Sequence, residues 1–206
     1  MGDSAGPTLR ERRKAETSAR ISAVARRLTA ARGLQGFTVE EVCEEVGVSR
    51  RTFFNYFHSK DDAIVGRSVD ALDETAVDAF LAARPGGLSG ISPRLLDDLA
   101  DLTIASLELI GLTPEMAASF IAAVEREPQL LSKMIRSGTE RDRALMALVE
   151  HREGLEPGDA RAEAAVLITG ALFRASAERF LRPGNTEPFD VLVRRGLDAA
   201  RAVFSA

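Results

Sequence analysis

The sequence has few of the residues that build disulfides, zinc sites and reactive centres. Its 206 residues include no tryptophan, a single cysteine, Cys43, and two histidines, His58 and His151. One cysteine excludes an internal disulfide and fits a reducing cytoplasm. The three Cys and His side chains argue against a zinc site built from them, and no loop has the ligand spacing of a calcium site. We therefore predict neither a metal nor another cofactor.

Long apolar runs and a secretory leader are missing as well. No run of about 18 uncharged apolar residues occurs, so we predict no membrane span. The opening stretch, MGDSAGPTLRERRKAETSAR, is charged and lacks the apolar segment of a signal peptide. We find no credible set of nucleophile, base and orienting group for covalent catalysis. The sequence therefore predicts a cytoplasmic protein that is not an enzyme.

Charge and aromatic residues are unevenly distributed. The net charge is −4, yet residues 1–60 carry eleven Lys and Arg against seven Asp and Glu. Residues 61–206 carry sixteen against twenty-four. A basic head on an acidic body is typical of a nucleic-acid-binding module joined to another domain. Four of the eleven Phe and Tyr residues fall between positions 53 and 57, directly after Arg50 and Arg51.

Nearly every segment has helical periodicity, and none has the alternating pattern of a strand. We predict an all-α fold of about nine helices, with residues 1–8 flexible. The predicted helices cover residues 8–32, 39–46, a short third helix capped by Ser49, 59–83, 92–110, 114–127, 128 to 151–154, 157–181 and 187–204.

Two short helices joined by a glycine form the most informative motif. Thr38 and Glu41 have the spacing of a capping box, which starts the second helix, and Gly47 ends it. Helices this short persist only when packing holds them. The spacing of the apolar residues provides that packing and predicts a helix-turn-helix, whose second helix enters the DNA major groove. The alternative is a connecting helical hairpin. The apolar residues are Val42, Val46, Val48, Phe53 and Phe57.

The run TVEEVCEEVGVSRRTFFNYFHSKDDAI resembles the N-terminal DNA-binding domain of the tetracycline-repressor (TetR) family of bacterial regulators. The resemblance covers about residues 10–66 and includes the glycine turn, the Tyr-Phe end of the third helix and the Ser-Lys-acid-acid start of the fourth. The variant SRRTFF also resembles an actinobacterial subgroup that includes regulators of the mycofactocin system. The resemblance implies a DNA-binding domain over residues 9–66 and a helical ligand-binding and dimerisation domain over residues 67–206.

The resemblance also implies which side chains face DNA, and their chemistry agrees. Arginine reads guanine bidentately and asparagine reads adenine, while hydroxyls and lysine hold phosphates. Phe54 stands where many members have tyrosine, so a phosphate hydrogen bond is lost and a thymine-methyl contact could remain. The alternative for each arginine is a phosphate contact without base reading. The predicted DNA-binding residues are Thr38, Ser49, Arg50, Arg51, Thr52, Phe54, Asn55, Tyr56 and Lys60.

For the remainder of the chain, the resemblance implies a repressor that binds a palindromic operator as a homodimer through its last two helices. Few charges fall on the apolar faces of this region, which favours an apolar effector such as an acyl chain or a drug-like molecule. An effector-independent DNA-binding protein with a filled core is the alternative. The predicted effector-binding residues are Leu102, Ser106, Met116, Phe120, Val124, Phe173 and Arg174.

Three residue-level alternatives accompany this interpretation. The apolar stripe of the last helix, which includes Leu192, Val193 and Leu197, could form the dimer interface or the core of one chain. Met134 could line an effector pocket or belong to ordinary core. Arg174 could meet an acidic group on a ligand or pair with Glu178 four residues later on the same helix face.

Overall fold

The computed structural model describes residues 9–66, 74–110 and 113–204, and in these ranges it contains helices and loops but no strand. The prediction of an all-α fold is therefore confirmed. The segment 1–8, predicted to be flexible, lies outside the described residues. The helices are α1 (Leu9–Arg32), α2 (Val39–Val46), α3 (Arg50–Tyr56), α4 (Lys60–Val65), α5 (Glu74–Ala82), α6 (Leu95–Ile110), α7 (Pro114–Arg126), α8 (Gln129–Glu153), α9 (Ala160–Phe180) and α10 (Phe189–Phe204).

The helix predicted over residues 59–83 is two helices in the structure, which makes ten in the described ranges. α4 ends at Gly66, which has a φ of 82° and donates its backbone N–H to the carbonyl of Asp62. A φ in this left-handed region suits glycine because a Cβ atom disfavours it. The sequence interpretation had placed Gly66 inside a longer helix, and this accounts for the difference.

One of the two proline-containing helix starts lies where the sequence predicts it. Thr113 accepts a hydrogen bond from the N–H of Met116 at 3.1 Å, and Pro114 takes the first position of α7. Ser92 and Pro93 were also predicted to start a helix. They instead form a turn in which Leu95 donates to the carbonyl of Ser92, and α6 begins at Leu95.

The chain divides into two compact units, and two of the three boundaries fall within α6 and α8. The first unit contains residues 1–73 and 106–139, and the second contains residues 74–105 and 140–206. The unit that holds the helix-turn-helix is therefore larger than the predicted domain over residues 9–66. The functional boundary between residues 66 and 67 stays a prediction.

In the first unit, α1 is the central helix and packs against α2, α4 and α7, while α3 packs on α2. Burying the apolar faces of helices as short as α2 and α3 stabilises them far more than their intrinsic propensity does. The core of this unit consists of Ile21, Ala25, Leu28, Leu34, Phe37, Val42, Cys43, Val46, Phe53, Phe57, Ala63, Ile64, Ala123 and Leu130.

Three polar contacts attach Glu127 and Lys133 to the loop between α1 and α2 and to the start of α4. The carboxylate of Glu127 accepts a hydrogen bond from the backbone N–H of Leu34 at 2.7 Å. The ammonium of Lys133 on α8 lies 3.0 Å from the carboxylate of Asp62 and 3.1 Å from the hydroxyl of Ser59. The start of α4, which directly follows α3, the predicted recognition helix, is therefore held by α8.

In the second unit, α9 packs on α10, with Phe189 in edge contact with both Phe173 and Phe180. This unit also buries charge. Arg152 is fully buried and pairs with the carboxylates of Asp98 and Glu153. Such a pair tolerates burial because its charges and hydrogen bonds are satisfied together. In the ranges that the structure describes, no helix has the length and apolar character needed to cross a membrane.

Candidate DNA-binding surface

Side-chain caps hold the two short helices of the helix-turn-helix. The Thr38 hydroxyl accepts from the N–H of Glu41 at 3.2 Å, and the Glu41 carboxylate accepts from the N–H of Thr38 at 2.8 Å. The backbone hydrogen bond from Thr38, followed by the Arg32 guanidinium, lowers the pKa of the Glu41 carboxyl below its ordinary value. At α3, the Ser49 hydroxyl accepts from the N–H of Thr52 at 3.0 Å. Both predicted caps are confirmed.

Gly47 makes the turn between these helices. Its φ is 77°, and its N–H donates to the carbonyls of Cys43 and Glu44. A Cβ atom at Gly47 would find nothing within 4 Å, so the requirement is for the left-handed backbone and not for space. The turn brings Ser49 directly to the start of α3.

The aromatic run divides between core and surface. Phe53 and Phe57 are fully buried, and their ring centroids lie 5.9 Å apart. Phe54 is 41% exposed and meets Phe53 edge-on at 5.3 Å. The half-buried Tyr56 packs its ring on Phe57 at 6.4 Å. Two rings therefore anchor α3 and leave its other face to solvent, and Phe54 belongs to that solvent face.

Arg51 and Asn55 lie one helical turn apart on the exposed face of α3. Arg51 forms no ion pair with any residue in the described ranges, so its guanidinium is available to a ligand. Thr52 is half-buried, and its hydroxyl contacts that of Ser49 at 2.8 Å. Neither the Arg51 guanidinium nor the Asn55 amide has a side-chain partner among the described residues, and these are the two groups that read guanine and adenine in the major groove.

Arg50 is exposed but already has partners. Its guanidinium lies 2.6 Å from the carboxylate of Glu40 on α2 and 5.5 Å from the centre of the Phe54 ring. The ion pair is exposed on both sides, so it stabilises the fold by at most about 1 kcal/mol. Glu40, which the sequence analysis did not select, therefore competes with DNA for Arg50. Because Glu40 lies ten residues before Arg50, the local sequence pattern did not indicate this ion pair.

Lys60 has two backbone partners. Its ammonium donates to the carbonyls of Leu34 and Phe37, each at 2.6 Å, and lies 4.5 Å from the centre of the Phe37 ring. These contacts fasten the start of α4 to the loop between α1 and α2. The predicted phosphate contact of Lys60 stays a prediction, and it would compete with both carbonyls.

The predicted effector-binding residues are divided between the two units. Leu102 and Phe173 are buried in the second unit, where Arg174 is exposed and forms no ion pair with Glu178. The first unit contains Ser106, Met116, Phe120 and Val124, all half-buried. Met116 and Phe120 line one cavity.

That cavity has a volume of about 220 Å³ and lies wholly in the first unit. A second cavity of about 360 Å³, in the second unit, is lined by Ser92, Leu95 and Ile168 among others and by none of the predicted residues. The residues that line the 220 Å³ cavity, called the Arg26 cavity below, are Arg26, Val65, Gly66, Met116, Ala117, Phe120 and Met134.

Arg26 is the residue of this cavity that the sequence analysis missed. Ser22, Arg26 and Thr29 are all buried and follow one another at intervals of four and three residues on α1. This stripe lies beside the buried apolar residues Ile21 and Leu28 of the same helix. Polar residues at core spacing were the signal that could have identified it.

The apolar stripe of α10 belongs largely to the core of the second unit. Leu192, Val193 and Leu197 are buried within the chain. The exposed large apolar residues on the last two helices are instead Leu167 on α9 and Val191 and Val203 on α10. The alternative of intrachain core is therefore correct for the three buried residues.

Comparison with known proteins agrees with the geometry of the helix-turn-helix. The family model for bacterial regulatory proteins of the tetR family matches residues 21–63. The HTH-type transcriptional regulator TcmR of Streptomyces glaucescens is 32% identical to this chain over 208 residues, which is 95% of this chain and 88% of that protein. The matched segment includes α2, α3 and most of α4. The resemblance to the mycofactocin-associated subgroup is not confirmed.

Proposed function

Because this chain belongs to the TetR family of bacterial regulatory proteins, we propose that it is a cytoplasmic repressor that binds a palindromic operator as a homodimer and is released by a small, largely apolar effector. Membership of the family makes the chain a DNA-binding transcriptional regulator and not an enzyme. The repressor activity, the operator symmetry and the response to an effector are the parts that we propose.

The exposed face of α3 is the observation that carries the proposal. Arg51 and Asn55 point to solvent, while Phe53 and Phe57 fix the helix from the opposite side. A rigid helix with a free guanidinium and a free amide fits direct reading of base edges. Arg50 joins this surface if DNA displaces Glu40.

A palindromic operator requires two copies of α3, so the proposal includes a homodimer. Leu167, 51% exposed, and Val191, 44% exposed, are apolar residues on the last two helices that a second copy could cover. Small neighbours on the exposed side of α9, such as Ala164 and Ala171, would permit close approach.

The DNA-binding part is tested with the intergenic DNA upstream of the gene and a random fragment of equal length. The affinities are measured over a series of salt concentrations, because phosphate contacts alone give salt-dependent binding without preference. A preference of at least about a thousandfold for one upstream fragment supports a specific operator. Equal binding to both fragments at every salt concentration contradicts the repressor proposal.

The dimer is tested by comparing Leu167→Arg with Leu131→Arg, because both leucines are exposed to a similar extent. The molar mass is measured by light scattering after size-exclusion chromatography. We expect Leu167→Arg to be a monomer with weak operator binding and Leu131→Arg to remain a dimer. A dimeric Leu167→Arg protein would show that the interface lies elsewhere.

Effector release is tested separately, by adding candidate small molecules to the preformed operator complex. A ligand shifts binding only by its difference in affinity between the two states of the protein. A protein that binds its operator tightly and that no ligand releases would match the effector-independent alternative.

A further inference from the structure

Arg26 is a buried cation at the wall of the Arg26 cavity. Its side chain is 4% exposed, and its Nε atom donates to the carbonyl of Ile64 at 2.7 Å. Its guanidinium carbon lies 5.8 Å from the centre of the Phe120 ring. Burial lowers the pKa of Arg26 to about 10, so the group remains charged near neutral pH.

No carboxylate in the described ranges pairs with this charge. Arg152, another buried arginine of the described chain, has carboxylate partners, since it contacts both Asp98 and Glu153. In place of carboxylates, Arg26 contacts the backbone carbonyl of Ile64 and the face of the Phe120 ring. A buried charge that lacks a counter-ion is costly, and a bound anion would remove that cost.

The end of the guanidinium faces the cavity. Its two terminal nitrogens have no acceptor among the described residues, while Nε is satisfied by Ile64. Every buried side-chain nitrogen or oxygen atom that the structure describes has a hydrogen-bond partner, so the terminal nitrogens of Arg26 retain access through the cavity. Gly66 leaves the approach open, because a Cβ atom there would lie 2.8 Å from one of these nitrogens.

The rest of the wall is apolar, with the side chains of Val65, Met116, Phe120 and Met134 around the guanidinium. We propose that the Arg26 cavity binds a small monocarboxylate with a short apolar body, whose carboxylate pairs with the terminal nitrogens of Arg26. A guanidinium fork matches a carboxylate bidentately. A single cation suits a monoanion better than a phosphate dianion. The volume of about 220 Å³ lies below the range of drug-sized sites, which favours a short chain or one ring as the apolar body.

If this site binds the effector, the effector is a small monocarboxylate. The regulatory role of the site rests on the proposed function. The same guanidinium holds the carbonyl of Ile64 near the end of α4, and α4 follows the recognition helix directly. A carboxylate on its terminal nitrogens therefore acts on the side chain that positions α4. Ligand binding and the placement of α3 are coupled through Arg26.

The site is tested by isothermal titration calorimetry of the full chain with octanoate and with its uncharged analogue octanamide. We expect one octanoate to bind per chain, and octanamide to bind at least about tenfold more weakly because it lacks the charge. Equal affinities for the two compounds, or the absence of octanoate binding at millimolar concentration, would overturn the proposal.

Two substitutions on α7 provide matched variants that leave Arg26 in place. Ala117 lines the cavity and Ala118 is exposed on the same helix. We expect Ala117→Leu to fill the cavity and to lose at least about tenfold in octanoate affinity, and Ala118→Leu to bind as the wild type does. Both variants should show a cooperative thermal unfolding transition, which establishes that they are folded. Unchanged affinity in a folded Ala117→Leu protein would place octanoate elsewhere.

Operator binding, measured with and without octanoate, separates the two proposals. Specific operator binding without octanoate binding refutes the carboxylate site and leaves the repressor proposal intact. Octanoate binding by a protein that prefers no DNA fragment supports the site and refutes the repressor. Octanoate binding that does not weaken the operator complex supports the site and refutes its coupling to α3.

Discussion

Glu127, which follows α7, accepts a hydrogen bond from the backbone N–H of Leu34, 93 positions earlier in the chain. Leu34 lies in the loop between α1 and α2, so the residue after α7 satisfies a backbone donor that precedes the helix-turn-helix. This bond, followed by that from the Gln129 side chain, lowers the pKa of Glu127 below its ordinary value. The attachment therefore favours the ionised form of the carboxylate.

Acidification should weaken this attachment. The folded-state pKa of Glu127 lies below the unfolded value, so its contribution is present above the unfolded pKa and is lost as the pH falls through the folded pKa. Glu127→Gln keeps an acceptor for Leu34 but does not titrate. We expect its Tm to fall less than that of the wild type between about pH 6 and about pH 3. Glu125→Gln, at an exposed position of the same helix, is the control and should follow the wild type.

Arg51 should contribute more to operator specificity than Arg50 does. Arg51 is free in the described structure, whereas Arg50 must first leave Glu40. Arg51→Ala should weaken operator binding by about 10- to 100-fold and binding to random DNA far less. Arg179→Ala, an exposed charge on α9, controls for the loss of one positive charge. Equal losses on operator and random DNA would assign Arg51 to phosphate contact.

Removing the competing carboxylate should strengthen DNA binding. Glu40→Gln frees Arg50 and deletes a negative charge from the surface that faces DNA. Because exposed pairs contribute at most about 1 kcal/mol, the gain should be about two- to fivefold. Glu44→Gln, exposed on the same helix, changes the charge without releasing Arg50. Equal gains in DNA affinity for the two variants, measured in competition assays, would contradict the release of Arg50.

Lys60 should act mainly on stability. Lys60→Met deletes two charge-assisted hydrogen bonds to backbone carbonyls and should lower the free energy of unfolding by about 2 kcal/mol. Thr38→Ala, which removes a helix cap, should cost about 1 kcal/mol. The salt dependence of DNA binding distinguishes the two roles of Lys60. If Lys60→Met leaves the slope of log affinity against log salt concentration unchanged, Lys60 is a positioning residue. A slope reduced in magnitude by about one indicates that Lys60 contacts a phosphate.

The sequence predicted features whose causes are local. Thr38, Gly47 and Ser49 were assigned correctly because a cap or a left-handed turn depends on a few neighbouring residues. Gly66 was missed because its flanking residues continue a helical pattern. The partners of Arg50 and Lys60 were also missed, since they lie 10 to 26 positions away and depend on how the helices pack.

The two candidate sites also differ in how far the sequence could predict them. The exposed face of α3 could be listed in advance because the family resemblance implies which side chains face DNA, while the spacing of Phe53 and Phe57 predicts a core on the opposite side. The Arg26 cavity could not, because it brings together residues from four helices and its charge lies on α1, within the predicted DNA-binding domain. Met116 and Phe120 were identified as wall residues only through their apolar character, which does not distinguish a cavity from a core.

Gly47 and Gly66 share a left-handed backbone, yet they should differ in natural variation and in mutational libraries. At Gly47 the surrounding space is empty, so asparagine, which tolerates this conformation, should be accepted there. At Gly66 any side chain meets both an unfavourable φ and the guanidinium of Arg26. Position 66 should therefore remain glycine wherever position 26 remains arginine, and the two positions should change together.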